Sequence, residues 1–172
     1  MNTSIILTII ADDQPGIIET VSKVLKRHNG NWTRSSMSSL AGQFAGILLA
    51  SVPSDKTEAC LAGLKALESE GLRIIVHTSS GETQPENVEE YSMALVGNDR
   101  PGIVHDITGV LAAHKVSVID FDTSVEGASM GGGDLFKARA KLLVPGSSDI
   151  FALESEIEDI ANDLMVDIIF EK

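Results

Sequence analysis

The sequence predicts an α+β protein built from two copies of one βαββαβ unit, each a four-stranded antiparallel sheet with two helices on one face. Three observations carry this. The chain repeats itself at an offset of 86 residues. Each copy passes from a β-branched apolar segment through a Pro-Gly pair into apolar residues at helical spacing. A late segment of the second copy alternates apolar and charged residues with period two.

The repeat lays Ala11-Asp12-Asp13-Gln14-Pro15-Gly16-Ile17-Ile18 over Gly97-Asn98-Asp99-Arg100-Pro101-Gly102-Ile103-Val104. The match continues as Val21 over Ile107, Val24 over Val110, Leu25 over Leu111 and His28 over His114, so one apolar face is kept in both copies. Self-similarity at a fixed offset is the mark of duplication. Between the copies, Ser79 to Asn87 is polar and broken by Gly81 and Pro85, which suits a linker. Domains are expected at 1–79 and 89–172, joined by 80–88.

The elements follow in order. Ile5 to Ile10 and Tyr91 to Val96 read as first strands. Pro15 and Pro101 then open a helix, since proline fixes φ near its helical value, and Asp13 and Asp99 are placed to cap it. Asn31 to Leu40 and Gln43 to Val52, parted by Ala41-Gly42, form a hairpin, as do Val116 to Glu126 and Leu135 to Val144. In the last of these Phe136, Ala138, Ala140, Leu142 and Val144 alternate with Lys137, Arg139 and Lys141, giving one buried and one wet face. Second helices carry Leu61, Ala62, Leu64 and Leu67, and Leu153, Ile157, Ile160, Ala161 and Leu164. Closing strands are Leu72 to Thr78 and Met165 to Phe170. This order is the ferredoxin-like split βαβ unit, used twice.

Composition narrows the function. Lys and Arg number 13 against 25 Asp and Glu, a net charge of −12, and residues 87–172 carry most of it, with 6 basic and 16 acidic side chains. Such a chain is repelled by nucleic acid and by anionic lipid, so neither is an expected direct partner. A partner of the second half is expected to offer cations. The single Cys60 forms no internal disulfide, the four histidines at 28, 77, 105 and 114 have no metal-ligand spacing, and no cofactor is expected. Neither a signal peptide nor an apolar run of membrane length is present, which points to the cytoplasm.

No nucleophile with a base, carboxylate pair, phosphate loop or dinucleotide fingerprint survives its context, so the chain does not read as an enzyme. Gly131-Gly132-Gly133 lacks the Lys-Ser/Thr of a phosphate loop and joins two strands, as a linker, lid or contact loop. The acidic run Glu154, Glu156, Glu158, Asp159 and Asp163 lies opposite an apolar stripe and reads as a solvated helix face. His28 and His114, at equivalent helix ends, are placed to bond a terminal carbonyl or meet the negative end of the dipole. Cys60 reads as a small core residue.

The Pro-Gly turns carry the sharpest chemistry. Free N–H groups and the positive dipole end at a helix N-terminus receive a carboxylate, and Gly16 and Gly102 allow close approach. The same residues also serve plain turn chemistry. Gln14 and Arg100 share one position of the repeat, and only Arg100 offers a fork to a carboxylate.

With Asp-x-Pro-Gly-Ile at the first strand-to-helix turn, the chain resembles the ACT domain, a regulatory module that typically binds amino acids. As a tandem it is similar to the glycine cleavage system transcriptional repressor family, on Asp12 to Ile17, on Asn31-Trp32 through Ser35-Ser36-Met37, and on Gly127 to Phe136. It departs from that pattern at Arg34, where an acidic residue is frequent, and at Gly131 to Phe136, where Ser-Gly-x-Pro-Leu-Phe is frequent.

The resemblance implies a non-enzymatic, amino-acid-responsive regulator that binds glycine or a similar small amino acid. It implies control of transcription through contact with a protein such as a LysR-type activator. It places ligand contacts at Asp12, Asp13, Gln14, Pro15, Gly16, Ile17 and Asn31, and at Asn98, Asp99, Arg100, Pro101, Gly102 and Ile103. Asn31 has only Ser117 as its counterpart in the second copy. A regulatory subunit of an amino-acid biosynthetic enzyme, of the acetohydroxyacid synthase small-subunit type, is the alternative. Homo-oligomers joined through strand edges or helices are expected of either.

Overall fold

The computed structural model describes residues 1–79, 87–127 and 133–172. It divides into two compact units, Met1–Thr83 and Gln84–Lys172. The first runs β1 (Asn2–Asp12), α1 (Ile17–Arg27), β2 (Asn31–Leu40), β3 (Gln43–Pro53), α2 (Thr57–Ala66) and β4 (Arg73–Ser79). The second runs β5 (Val88–Asn98), α3 (Ile103–Ala113), β6 (Ser117–Gly127), β7 (Asp134–Pro145), α4 (Ile150–Leu164) and β8 (Val166–Glu171). Both sheets are antiparallel, ordered β2-β3-β1-β4 and β6-β7-β5-β8. Two ferredoxin-like βαββαβ units are therefore present, and most of the expected linker falls at 80–86, outside the described residues.

Each core lies between a sheet and its pair of helices. In the first, Ile5, Leu7 and Ile9 of β1 meet Val21 and Leu25 of α1 and Cys60 and Leu64 of α2. In the second, Met93, Leu95, Ala138, Ala140 and Leu142 meet Ile107, Leu111, Leu153 and Ile157. The period-two reading of β7 holds residue by residue: Phe136, Ala138, Ala140, Leu142 and Val144 are buried. Among the described residues no polar or charged residue is buried.

Two hairpin details follow from backbone chemistry. Ala41 (φ 51) and Gly42 (φ 80) both have positive φ, which a two-residue turn matching the right-handed strand twist requires. The edge strands β2 and β6 each carry a register shift, at Thr33 between Trp32 and Arg34 and at Ile119 between Val118 and Asp120. Thr33 and Ile119 are themselves 86 positions apart, so the duplication preserved even this bulge.

Some local expectations are corrected. Pro15 and Pro101 precede the helices instead of starting them. The N-cap residues are Gly16 and Gly102, in the left-handed region, and no side chain among the described residues caps either helix. Helix α2 is shorter than its apolar pattern implied: it ends at Ala66, and Leu67–Glu70 continue as a 3-10 turn. Ala62 lies on its exposed side. Met165 is the C-cap of α4 (φ 53), not part of the closing strand.

Candidate functional site

Each Pro-Gly turn is held from two sides. Asp12, Asp13, Gln14, Pro15 and Gly16 are exposed, while Ile17 is buried and pins the start of α1 into the core. Asn98, Asp99, Arg100, Pro101, Gly102 and Ile103 repeat this arrangement, with Ile103 buried. The side chains of Ile17 and Ile103 therefore anchor the turns. Ile18 and Val104, next along each helix, are exposed instead.

Gly16 has φ +97 and Gly102 φ +101, a region L side chains rarely adopt. No described atom lies within 4 Å of where a Cβ on Gly16 would stand, and only the Asp106 carboxylate, at 3.7 Å, approaches that of Gly102. Backbone conformation demands these glycines, and no neighbouring strand among the described residues packs against them. The Gly16 carbonyl accepts from Thr20 N–H at 2.9 Å and that of Gly102 from Asp106 N–H at 3.0 Å, so the helices start immediately. The first N–H groups beyond each glycine point out of the helix end.

Asp13 does not cap α1. Its N–H donates to the Gly42 carbonyl at 2.9 Å and its carboxylate accepts from the Ser39 hydroxyl at 2.6 Å. Asp12 accepts from Gln43 Nε2 at 2.7 Å. The β2-β3 hairpin tip thus grips the first turn, and Ser39, Gly42 and Gln43 join the candidate site. In the second unit Asp99 N–H donates to the Asp134 carbonyl at 2.8 Å. Arg100 Nη2 reaches the Asp163 carbonyl in the last turn of α4 at 3.4 Å, where a cation meets the negative helix end. The backbone bond is common to both turns, whereas the side-chain bonds among the described residues differ. Residues 128–132 of the glycine-rich loop lie outside the described residues.

The structure does not bring Asn31 to the turn of its own unit. Strand β2 runs parallel to β1, and Asn31, Ser51 and Ser4 lie at one level of the sheet, whereas Asp12 pairs with Gln43 at the other. Eight residues of strand, roughly 27 Å, separate the two levels. Ser117 sits at the corresponding far end beside Leu143. Only the backbone path, which α1 carries back across the sheet, decides this.

His114 Nε2 lies 3.2 Å from a Glu156 carboxylate oxygen on α4, so the imidazole ties α3 to α4 instead of bonding a terminal carbonyl. Glu156 is correspondingly more than a solvated acid. Cys60 is buried and free, and burial pushes its thiol pKa up, which leaves it unreactive. Among the described residues no group of three His, Cys, Asp or Glu is placed to hold a metal ion. No helix among them is long and apolar enough to cross a membrane.

A family profile described as ACT domain matches residues 3–79 and 93–171. The crystal structure of an unknown protein from Galdieria sulphuraria superposes with a TM-score of 0.89 at 25% identity, covering 99% of this chain and 98% of that one. That of a protein assigned as a glycine cleavage system transcriptional repressor superposes with a TM-score of 0.69 at 16% identity, covering 99% and 97%. At that identity the second likeness is one of fold. Among curated proteins none matches the sequence.

Proposed function

Because this chain belongs to the ACT-domain family, in both of its units, we propose that it is a non-enzymatic regulator that binds a small amino acid. Glycine or a close relative is the leading ligand. The observation that carries the reading is the paired, uncapped helix start at Gly16 and Gly102. Each offers N–H groups with no capping side chain among the described residues, and a positive dipole end, to a carboxylate, beside an exposed aliphatic residue, Ile18 or Val104. Arg100 adds a cation to the second turn only, so the two sites differ in affinity.

The regulated process we propose is transcription of glycine cleavage or related amino-acid metabolism in the cytoplasm, through contact with a protein such as a LysR-type activator. The likeness to the protein assigned as a repressor of that system supports this choice, and the net charge of −12 argues against direct DNA contact. The coupling is linkage: the amino acid shifts partner affinity only as far as it binds one state better than the other.

Thermal unfolding with each common amino acid tests the ligand. At a hundred times its Kd a ligand stabilises by about 2.7 kcal/mol, or roughly 5–10 °C in a chain of this length. A selective shift that is reduced in Arg100→Ala supports the reading, and no shift with any amino acid overturns it. Affinity capture separates the regulatory targets. Recovery of a DNA-binding activator supports transcriptional control, whereas co-purification with a large catalytic subunit, with feedback inhibition restored on mixing, transfers the role to enzyme regulation.

A further inference from the structure

The helices cover one face of each sheet and leave the other open, and the two open faces are chemically unlike. On the first sheet, Ile6 and Leu49 pair across β1 and β3, Thr8 lies between Ile47 and Ile75, and Ile10 continues the row. Ile47 is 56% exposed, Ile75 49% and Ile10 39%. Five aliphatic side chains contiguous over three strands exceed what a wetted sheet face ordinarily carries. Arg34 on β2 and Arg73 on β4 flank this patch, opposite Leu49 and Ile10, and among the described residues Asp12 is the one carboxylate on that face.

On the second sheet the open face holds a groove of about 520 Å³. Ala94 and Ile169, the latter 58% exposed, form its apolar floor. Asp120 and Asp122 of β6 rise on one side and Glu171 of β8 on the other. Lys137 is taken by Glu126 at 2.6 Å, and Asp120, Asp122, Asp167 and Glu171 then outnumber Arg139 and Lys141. An apolar patch edged with arginine and an apolar groove edged with acid are complementary.

We infer that this chain forms a two-fold dimer in which the open face of the first sheet of one copy packs on the open face of the second sheet of the other. The contact occurs twice, because a two-fold axis that makes one makes its mate, and no surface is left to propagate a filament. Area supports two contacts over one. Four strands about 4.8 Å apart and about seven residues long present roughly 450 Å² per face. One contact buries about 900 Å², below the range of stable interfaces, and two bury about 1,800 Å², within it. Packing two first-sheet faces together would instead oppose Arg34 and Arg73 of both copies, which like-charge repulsion disfavours. Association through the strand edges alone would leave the aliphatic patch in water.

Charge inversion on the full-length chain tests this. Sedimentation at physiological salt is expected to give the wild type twice the 18.3 kDa chain mass. The double variant Arg34→Glu, Arg73→Glu makes both faces acidic. Asp122→Lys, Glu171→Lys moves the second face towards the basic character of the first. Each variant alone is expected to sediment as a monomer, and an equimolar mixture to recover the double mass, because both contacts are then between unlike charges. Ile47→Ser, at an exposed position, is expected to weaken the wild-type dimer at least tenfold. A wild type that stays monomeric to high concentration overturns the inference. So does a dimer indifferent to the inversions and to Ile47→Ser, which would be joined elsewhere, or a mixture that fails to reassociate.

Discussion

The Ser39 hydroxyl donates to the Asp13 carboxylate at 2.6 Å, joining the last residues of β2 to the turn that launches α1. The two residues are 26 positions apart. Ser39 therefore belongs to the candidate site although nothing near it in sequence marks it. Together with Gln43 on Asp12, it makes the hairpin tip the support on which the first turn rests.

Removing that support has a bounded effect. Ser39→Ala is expected to destabilise the first unit by about 0.5–1 kcal/mol, since the bond is solvent-exposed and water replaces it. Urea unfolding followed by circular dichroism measures it. Amide exchange at Gln14 to Ile17 should rise more than the global change, because the loss is local.

Backbone conformation sets a second expectation. With φ near +100° at both N-caps, Gly16→Ala and Gly102→Ala should each cost about 1–2 kcal/mol. Neither new methyl meets a described atom closely enough to clash, so the loss is conformational. Matching losses from the two substitutions, read from thermal unfolding, would establish equivalence of the turns as scaffolds.

A glycine of the other kind sits at Gly97. A side chain there collides with Val166 on the neighbouring strand, so the limit is space and not φ. Gly97→Ala is expected to cost about 1–3 kcal/mol through overpacking. Val166→Ala in the same chain should recover part of that loss in a double-mutant cycle, because the two residues touch. A fully additive pair would contradict the contact.

Lys172 Nζ lies 2.8 Å from the Glu89 carboxylate, closing the end of β8 against β5. The hydrogen bond from Lys172 holds the Glu89 pKa below its ordinary value, and the bond to Glu89 raises that of Lys172. The Glu89 contribution is present above the usual carboxylate value and lost as pH falls through its lowered one. The Lys172 contribution is present below the usual lysine value and lost as pH rises through its raised one. The strand end should therefore be held across the neutral range and fray at both extremes. Amide exchange at Phe170 and Glu171 in Lys172→Met, compared with the parent at pH 7 and at low pH, reads this: the two should differ at pH 7 and converge in acid.

The repeat at 86 residues, the period-two pattern of β7 and the apolar rows of α1 and α3 made the fold legible, because burial on one face imposes a period on the chain. The same reasoning found the Pro-Gly turns. The hydrogen bonds of the turns differ from the expectation: the Asp13 carboxylate is spent on Ser39 and not on the helix N-terminus, and Pro15 stands two residues before the first helical residue, Ile17. A capping residue is chosen by competing hydrogen-bond partners, and those arrive from β2 and β3. His114 does stand at the helix end, as the C-cap of α3, and the packing of α4 supplies Glu156 as its partner.

The sequence by itself determined that two similar α+β units exist, which residues form their cores, and where two exposed glycine turns begin their first helices, since these depend on local periodicity and on backbone freedom. Tertiary structure alone decided that Asn31 lies at the opposite end of the sheet from Gly16, that Ser39 and Gln43 support the first turn, and that one sheet bares isoleucines where the other bares acids. Strand order and direction set those relations. They are settled by how the whole chain buries its apolar surface, and no short stretch of residues encodes them.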